Sequence, residues 1–220
     1  MLPVKVCCIQ DHEELQLAIR AGVRAVGFVS KMPSGWGPIP ESTIAELAAA
    51  TPPFVDTVLL TSQTDPAGVI EQNRRCRCSV IQLVDAFPIE GYARLRDAFP
   101  GVRILQAVHV VDIEALAMAK RIAPHVDAVL LDTGSPHGAT KVLGGTGRTH
   151  DWAVSARIVA ELDHPVILAG GLKASNVARA IHTVRPWALD LCTGVRTKPE
   201  MRLDPDLLRE FLAAAAVAAT

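Results

Sequence analysis

Eight short apolar runs, each followed by an amphipathic stretch of helical period, fill almost the whole chain, and this alternation limits the fold more than any other feature. The runs are Val4 to Ile9, Ala25 to Val29, Phe54 to Leu60, Val80 to Val84, Arg103 to Val108, Ala128 to Asp132, Val166 to Ala169 and Ala188 to Leu191. The helical stretches are Glu13 to Ala21, Glu41 to Ala50, Asp65 to about Asn73, Ile89 to Asp97, Asp112 to Ala123, Trp152 to Glu161, Ala174 to Thr183 and Asp204 to Ala218. Runs that are apolar nearly throughout belong to strands buried on both faces, the condition of parallel strands covered by crossover helices. Eight such units close a ring. The expected fold is α/β, a (β/α)8 or TIM barrel, forming one domain over residues 1–220. A doubly wound open sheet is the alternative, but no G-x-G-x-x-G follows the first run.

The punctuation agrees with that reading. Asp11, Asp65 followed by Pro66, and Asp112 stand where helix N-caps are needed, and Gly22 supplies a stop. The longest irregular segments, Ser30 to Pro40 and Thr133 to Asp151, both follow strands. That is the face on which a barrel carries its functional loops.

Composition narrows the partner. Apolar residues make up 50% of the 220-residue chain and the formal net charge is -1, so a nucleic-acid footprint is absent and a small-molecule ligand is expected. The N-terminus lacks a basic region followed by a long apolar stretch, and the Ala run near the C-terminus is too weakly hydrophobic to span a bilayer. A cytoplasmic protein, monomer or homodimer, without membrane contact is the expectation. The five cysteines, Cys7, Cys8, Cys76, Cys78 and Cys192, show neither zinc-ribbon nor disulfide-framework spacing, and are read as free thiols.

Chemistry is expected where apolar runs end in polar residues. Leu130-Leu131-Asp132 ends in a carboxylate, which is costly at a buried strand end unless it is used. Its structural reading is a cap on the next turn. Alternation puts Lys5 and Cys7 on one face of the first strand, and Val4, Val6 and Cys8 on the other. An ammonium below Cys7 favours the thiolate, making Cys7 a candidate base; otherwise it is a small buried hydrophobe. Asp132 shares its face with Ala128 and Leu130, so Cys7 and Asp132 are expected to oppose each other as base and acid, with no metal and no cofactor. Gly170-Gly171 and Cys192-Thr193-Gly194-Val195 end the seventh and eighth strands, the usual phosphate-binding position of this fold, where backbone N–H groups and helix N-termini meet an anion. The expected substrate- and phosphate-binding set is Gly170, Gly171, Asp190, Thr193, Gly194 and Arg196, with Lys5 and Gln82 in support. His109 is read as bonded to a neighbouring loop, Cys76 and Cys78 as incidental, and Arg74, Arg75 and Arg77 as solvated surface.

Lys5-Val6-Cys7, Gly27-Phe28-Val29, Val80-Ile81-Gln82-Leu83, Gly144 to Trp152, Leu168-Ala169-Gly170-Gly171-Leu172 and Thr193-Gly194-Val195 resemble the phosphoribosylanthranilate isomerases in order and spacing, over nearly the whole chain. The resemblance implies a (β/α)8 enzyme of tryptophan biosynthesis that carries out an Amadori rearrangement on N-(5-phosphoribosyl)anthranilate, a small phosphorylated sugar. It places the family's base on Cys7, its acid on Asp132 and its phosphate loops on Gly170, Gly171, Thr193 and Gly194. Departures fall elsewhere. Cys8 and Gln10 stand where the family usually has Gly and Thr, and Trp36 stands at the position of an Arg suited to the anthranilate carboxylate. Val84-Asp85 replaces His-Gly, and Arg196 replaces a Glu. The alternatives are an isomerase of another phosphorylated sugar and a non-catalytic phosphosugar-binding protein. Either Arg196 meets the anthranilate carboxylate in place of the Arg that Trp36 replaces, or the expected substrate is a phosphosugar without the aromatic acid.

Overall fold

A computed structural model describes residues 2–33, 37–134, 143, 147 and 149–218. The eight runs are strands: β1 (Val4–Val6), β2 (Ala25–Val29), β3 (Asp56–Thr61), β4 (Val80–Leu83), β5 (Arg103–His109), β6 (Ala128–Asp132), β7 (Val166–Leu168) and β8 (Ala188–Leu191). Each is followed by a helix: α1 (His12–Arg20), α2 (Glu41–Ala50), α3 (Pro66–Cys76), α4 (Ile89–Ala98), α5 (Glu114–Ile122), α6 (Trp152–Glu161), α7 (Ala174–Val184) and α8 (Pro205–Ala218). All neighbouring strands pair parallel, in chain order, and β8 returns to β1 with Lys5 opposite Asp190. The (β/α)8 barrel is therefore the fold, and the open-sheet alternative falls because β8 pairs with β1 and closes the eight-stranded sheet.

Strand alternation produces two apolar shells. Val6, Phe28, Leu59, Ile81, Val108, Leu131 and Leu189 point outward and pack beneath the helices. Val58, Leu60, Val80, Leu105, Ala107, Leu130, Ile167 and Ala188 point inward and fill the barrel. Each fully buried aliphatic side chain contributes roughly 1.5–3 kcal/mol relative to exposure, so the two shells supply the stability that tolerates polar groups at the mouth.

The expected caps form. Asp11 accepts from Glu14 N at 3.0 Å, Asp65 from Gly68 N at 2.9 Å, and Asp112 from Glu114 N at 2.8 Å. Two expectations are corrected. The first run was expected to remain extended to Ile9, but β1 stops at Val6 because Cys8 has a φ of 62°, a left-handed conformation no strand accommodates. After β8 no α-helix begins: a single 3-10 turn, Thr193–Val195, leads into the short antiparallel pair β9 (Arg196–Thr197) and β10 (Arg202–Leu203) before α8. No helix among the described residues is long and apolar enough to cross a membrane.

Candidate active site

The C-terminal ends of β1, β6, β7 and β8 converge at one mouth, and the inward positions of each strand decide what stands there. On β1 these are Lys5 and then Cys7, which is 6% exposed. Gly27 on β2 makes room for the lysine: a Cβ there would lie 3.0 Å from Lys5 Cε and 3.2 Å from Cys7 Cα. Lys5 Nζ sits 2.7 Å from Asp190 Oδ2, an ion pair with both partners buried. Burial opposes the lysine's charge, but the Asp190 carboxylate and the Cys7 sulfur hold its pKa above the ordinary value.

Asp190 was expected to touch ligand, and its position argues otherwise. It is the counter-ion of Lys5 one layer below the mouth, and a carboxylate repels phosphate. Burial raises its carboxyl to about 7 against the opposing pull of Lys5. Its Oδ1 has no hydrogen-bond partner among the described residues. Gln82, inward on β4 and 3% exposed, likewise keeps Oε1 unpartnered among them.

Cys8 does not lie on the face that simple alternation assigns. Its left-handed backbone turns the side chain inward, beside Cys7. The Cys8 and Cys7 sulfurs are 3.7 Å apart, the Cys192 and Cys8 sulfurs 2.9 Å, and all three lie within 4.8 Å of one another. Thiol hydrogen bonds from Cys192 and then Cys8 pull the Cys7 pKa well below the usual thiol value; burial opposes, and the charges of Lys5 and Arg196 assist. Cys8 and Cys192 are pushed up. The three shifts thus favour placing a negative charge in the cluster on Cys7 over Cys8 or Cys192. Lys5 assists as its position on the strand suggests, but the neighbouring thiols act more strongly, and alternation hid Cys8 from that reading.

Asp132 ends β6 facing inward, with Oδ1 accepting from Thr133 N at 2.7 Å. Burial raises its carboxyl to about 7; the Thr133 bond opposes, while the charges of Asp190 and Cys7 add to the rise. A short chain of contacts holds this strand end. Thr133 Oγ1 lies 3.2 Å from His150 Nδ1, and His150 Nε2 lies 2.6 Å from Ser155 Oγ on α6. Burial lowers His150 to about 4, so it is neutral and acts as a spacer between loop and helix. Asp151 caps α6 through Ala153 N at 2.8 Å, and Trp152 packs 8% exposed under Arg179, whose guanidinium carbon is 5.0 Å from the ring centre. The Asp-Trp pair thus serves the scaffold.

The loops after β6, β7 and β8 meet with no room for a Cβ at Gly170 or Gly194. A Cβ on Gly194 would fall 1.9 Å from the Leu172 carbonyl oxygen, and one on Gly170 would fall 2.4 Å from Thr133 Oγ1. Gly170 and Gly171 have φ of 85° and 62°, which glycine adopts without strain. Gly147 closes the third side, where a Cβ would lie 3.4 Å from Thr193 Oγ1. Gly170, Gly171, Thr193 and Gly194 are therefore brought together as expected, although only the first pair precedes an α-helix.

Arg196 is the largest correction. The sequence placed it toward ligand, but its side chain is fully buried against Glu14 of α1, at 3.0 Å. It also donates to the carbonyls of Cys7, Cys8 and Met201 at 3.0, 2.6 and 2.8 Å. It braces the end of β1 from behind. Glu14, which sequence reasoning passed over as one helix carboxylate among several, further accepts from Leu203 N and Gln10 N. His109 bonds the Val84 carbonyl at 2.9 Å, as expected, and Cys76 and Cys78 are buried thiols raised to about 12 by desolvation. Arg74 and Arg75 pair at the surface with Glu71 and Glu41. Trp36, Gly144 to Thr146 and Arg148 lie outside the described residues.

Comparison with known proteins gives a consistent result. A family profile described as N-(5'-phosphoribosyl)anthranilate isomerase matches residues 4–214. An N-(5'-phosphoribosyl)anthranilate isomerase of Haloferax volcanii is 41% identical over 219 residues, covering 99% of this chain and 95% of that protein. One of Methanocella arvoryzae is 34% identical, covering 96% and 97%. The crystal structure of phosphoribosyl anthranilate isomerase from Thermotoga maritima superposes with a TM-score of 0.83 at 28% identity, covering 99% of this chain and all of that one.

Proposed function

The chain belongs to the N-(5'-phosphoribosyl)anthranilate isomerase family, and we propose that it converts N-(5-phosphoribosyl)anthranilate to the corresponding 1-deoxyribulose phosphate with Asp132 as acid and Cys7 as base. It is an isomerase by family. The observation that carries the finer reading is the opposite displacement of two facing groups: the Asp132 carboxyl is raised to about 7 while the Cys7 thiol is lowered. A protonated acid and an ionised base then coexist near neutrality.

In the first step the Asp132 proton goes to the furanose ring oxygen, the C1–O bond breaks, and the anthranilate nitrogen supplies the electron pair that forms the iminium. In the second the Cys7 thiolate takes the C2 proton, and the electrons of that C–H bond flow to the nitrogen to give the enolamine. Tautomerisation of the enol gives the ketose. Both steps are proton transfers, and positioned groups of matched pKa typically contribute on the order of 10²–10⁴-fold each. Thr133 and His150 fix the acid, and Arg196 and Lys5 fix the base. The proposed phosphate seat is the close junction of Gly170, Gly171, Thr193 and Gly194.

The test is complementation of a tryptophan auxotroph lacking this isomerase, paired with product formation by the purified protein. Growth and turnover that depend on both Cys7 and Asp132 are expected. Turnover of the substrate at wild-type rate by Cys7→Ala removes the base assignment, and absence of turnover by the intact protein removes the substrate.

A further inference from the structure

Three cysteines meet at the mouth, and the proposed rearrangement uses one of them. Cys8 and Cys192 are neither base nor phosphate ligand, yet their sulfurs stand 2.9 Å apart. That lies inside an ordinary nonbonded contact of roughly 3.5–4.0 Å and less than an ångström beyond the roughly 2.0 Å of a disulfide. They come from neighbouring strand ends at the seam that closes the barrel. Cys8 is also held in a left-handed backbone, and Gly37 crowds it, a Cβ there lying 3.3 Å from the Cys8 sulfur. Both features keep its side chain turned toward Cys192. Three sulfur ligands on one tetrahedral soft ion, with bonds of roughly 2.3 Å, stand roughly 3.8 Å apart. The Cys8–Cys192 separation is too short for that without opening the cluster, whereas a disulfide needs only closure.

We propose that Cys8 and Cys192 form a reversible oxidation site, closing to a disulfide when a small-molecule disulfide enters the mouth, and that this bond takes away the thiol protons beside the Cys7 sulfur. The first half stands on the sulfur geometry alone. The second rests on the reading of Cys7 as the base.

Cys192 is the one sulfur of the three with partial solvent exposure, and so meets the reagent first. It passes its proton to Cys7, and its sulfur attacks one sulfur of the reagent. The reagent's S–S bond breaks, and the departing thiolate takes the proton back from Cys7. The Cys8 sulfur then attacks the Cys192 sulfur of the mixed disulfide and expels the second reagent thiol, which leaves with the Cys8 proton. Two protein thiols have lost two electrons and two protons, and the reagent has gained both. The neutral disulfide suits a pocket whose charges are already matched, Lys5 by Asp190 and Arg196 by Glu14. Cys7 keeps those charges and Asp132 around it, but loses the Cys8 thiol that donates to its sulfur at 3.7 Å.

The test incubates the reduced full-length protein with hydroxyethyl disulfide, alkylates it in denaturant and maps the peptides by mass, alongside rate–pH profiles of both forms. Two of the five thiols should escape alkylation. A Cys8–Cys192 cross-linked peptide should appear and vanish with dithiothreitol. The acid limb of the rate profile should move up by about one pH unit or more. Cys8→Gly, which suits the left-handed backbone, and Cys192→Ser should each abolish the cross-link. Five alkylated thiols after treatment, a reagent adduct on Cys192 alone, or thiol loss reversed by a chelator would each overturn the oxidation site. A cross-link with an unmoved acid limb would overturn the control of Cys7. A cross-link together with wild-type turnover by Cys7→Ala would instead overturn the base assignment and leave the site standing.

Discussion

Arg196 and Glu14, 182 residues apart in the chain, meet at 3.0 Å with no side-chain exposure, and the same guanidinium bonds the carbonyls of Cys7 and Cys8. A helix carboxylate and the arginine that follows the last barrel strand thus fix the height of the thiols at the end of the first. Removing one partner of a buried pair leaves the other charge uncompensated, at a cost of about 3–5 kcal/mol. Arg196→Ala should therefore unfold at markedly lower urea concentration. Its turnover should fall without weakening the binding of a phosphorylated product analogue. Wild-type stability with only a raised KM would return Arg196 to the ligand-contact role its place in the sequence suggested.

The barrel was legible because it is written in period: near-continuous apolar runs, helical stretches and caps repeat eight times, and their boundaries hold within a few residues. Asp132 was legible for the same reason, since alternation from Ala128 gives its direction. Cys8 was not, because a residue with φ of 62° breaks the alternation on which the reading depends. Arg196 and Asp190 misled because their partners, Glu14 and Lys5, are distant in sequence, and a charge at a strand end reads as ligand-facing until its counter-ion is seen. His150 stood inside a quoted motif, but its link between Thr133 and Ser155 exists only once the loop has folded back.

Cys7→Ala and Asp132→Asn should each lower turnover by roughly 100-fold or more while leaving the Kd of a phosphorylated product analogue within a few-fold. Because the proposed mechanism uses the two groups at successive steps, the double variant should lose less than the product of the single losses. Steady-state kinetics with calorimetric binding of the analogue separates the two quantities. Equal losses in turnover and analogue affinity would make these residues binding groups.

Gly194→Ala puts a methyl 1.9 Å from the Leu172 carbonyl oxygen and must force the loops after β7 and β8 apart. If that junction seats the phosphate, inhibition by inorganic phosphate should weaken by about tenfold or more and KM should rise in step. The kcat at saturation should change far less, since neither proton-transfer group moves. Unaltered phosphate inhibition in a folded Gly194→Ala protein would place the phosphate elsewhere.

His150→Ala cuts the link from Thr133 to Ser155 and loosens the strand end that carries the acid. Since His150 is neutral and no proton donor to substrate, its loss should lower kcat by a modest factor, about 3- to 30-fold by analogy with the loss of a positioning contact. The pH profile should keep its shape. His150→Gln, which retains polar reach, should recover part of the rate. A profile that loses a limb in His150→Ala would make the histidine a proton carrier.

The pH dependence follows from the signs of the shifts. The proposed rearrangement requires Cys7 ionised and Asp132 protonated. With Cys7 lowered and Asp132 raised to about 7, kcat/KM should be level below neutrality, fall at low pH as the thiolate is protonated, and fall above about pH 7 as Asp132 loses its proton. These limbs belong to the interacting cluster rather than to single groups. The same shift acts on stability. A carboxyl raised above its unfolded value of 3.8 binds a proton more tightly in the folded protein, so its contribution is complete below that value and is lost as pH rises through about 7. Over the same range the lowered Cys7 thiol and the lowered His150 contribute with the opposite sign, so the Asp132 share is read as a difference: Asp132→Asn, which cannot ionise, should gain thermal midpoint relative to wild type from pH 5 to pH 8 and be more stable than wild type at pH 8. The acid would then be maintained at the expense of stability in the pH range where it works. A wild type and an Asp132→Asn variant whose midpoints fall in parallel would show that the Asp132 carboxyl is not the raised group.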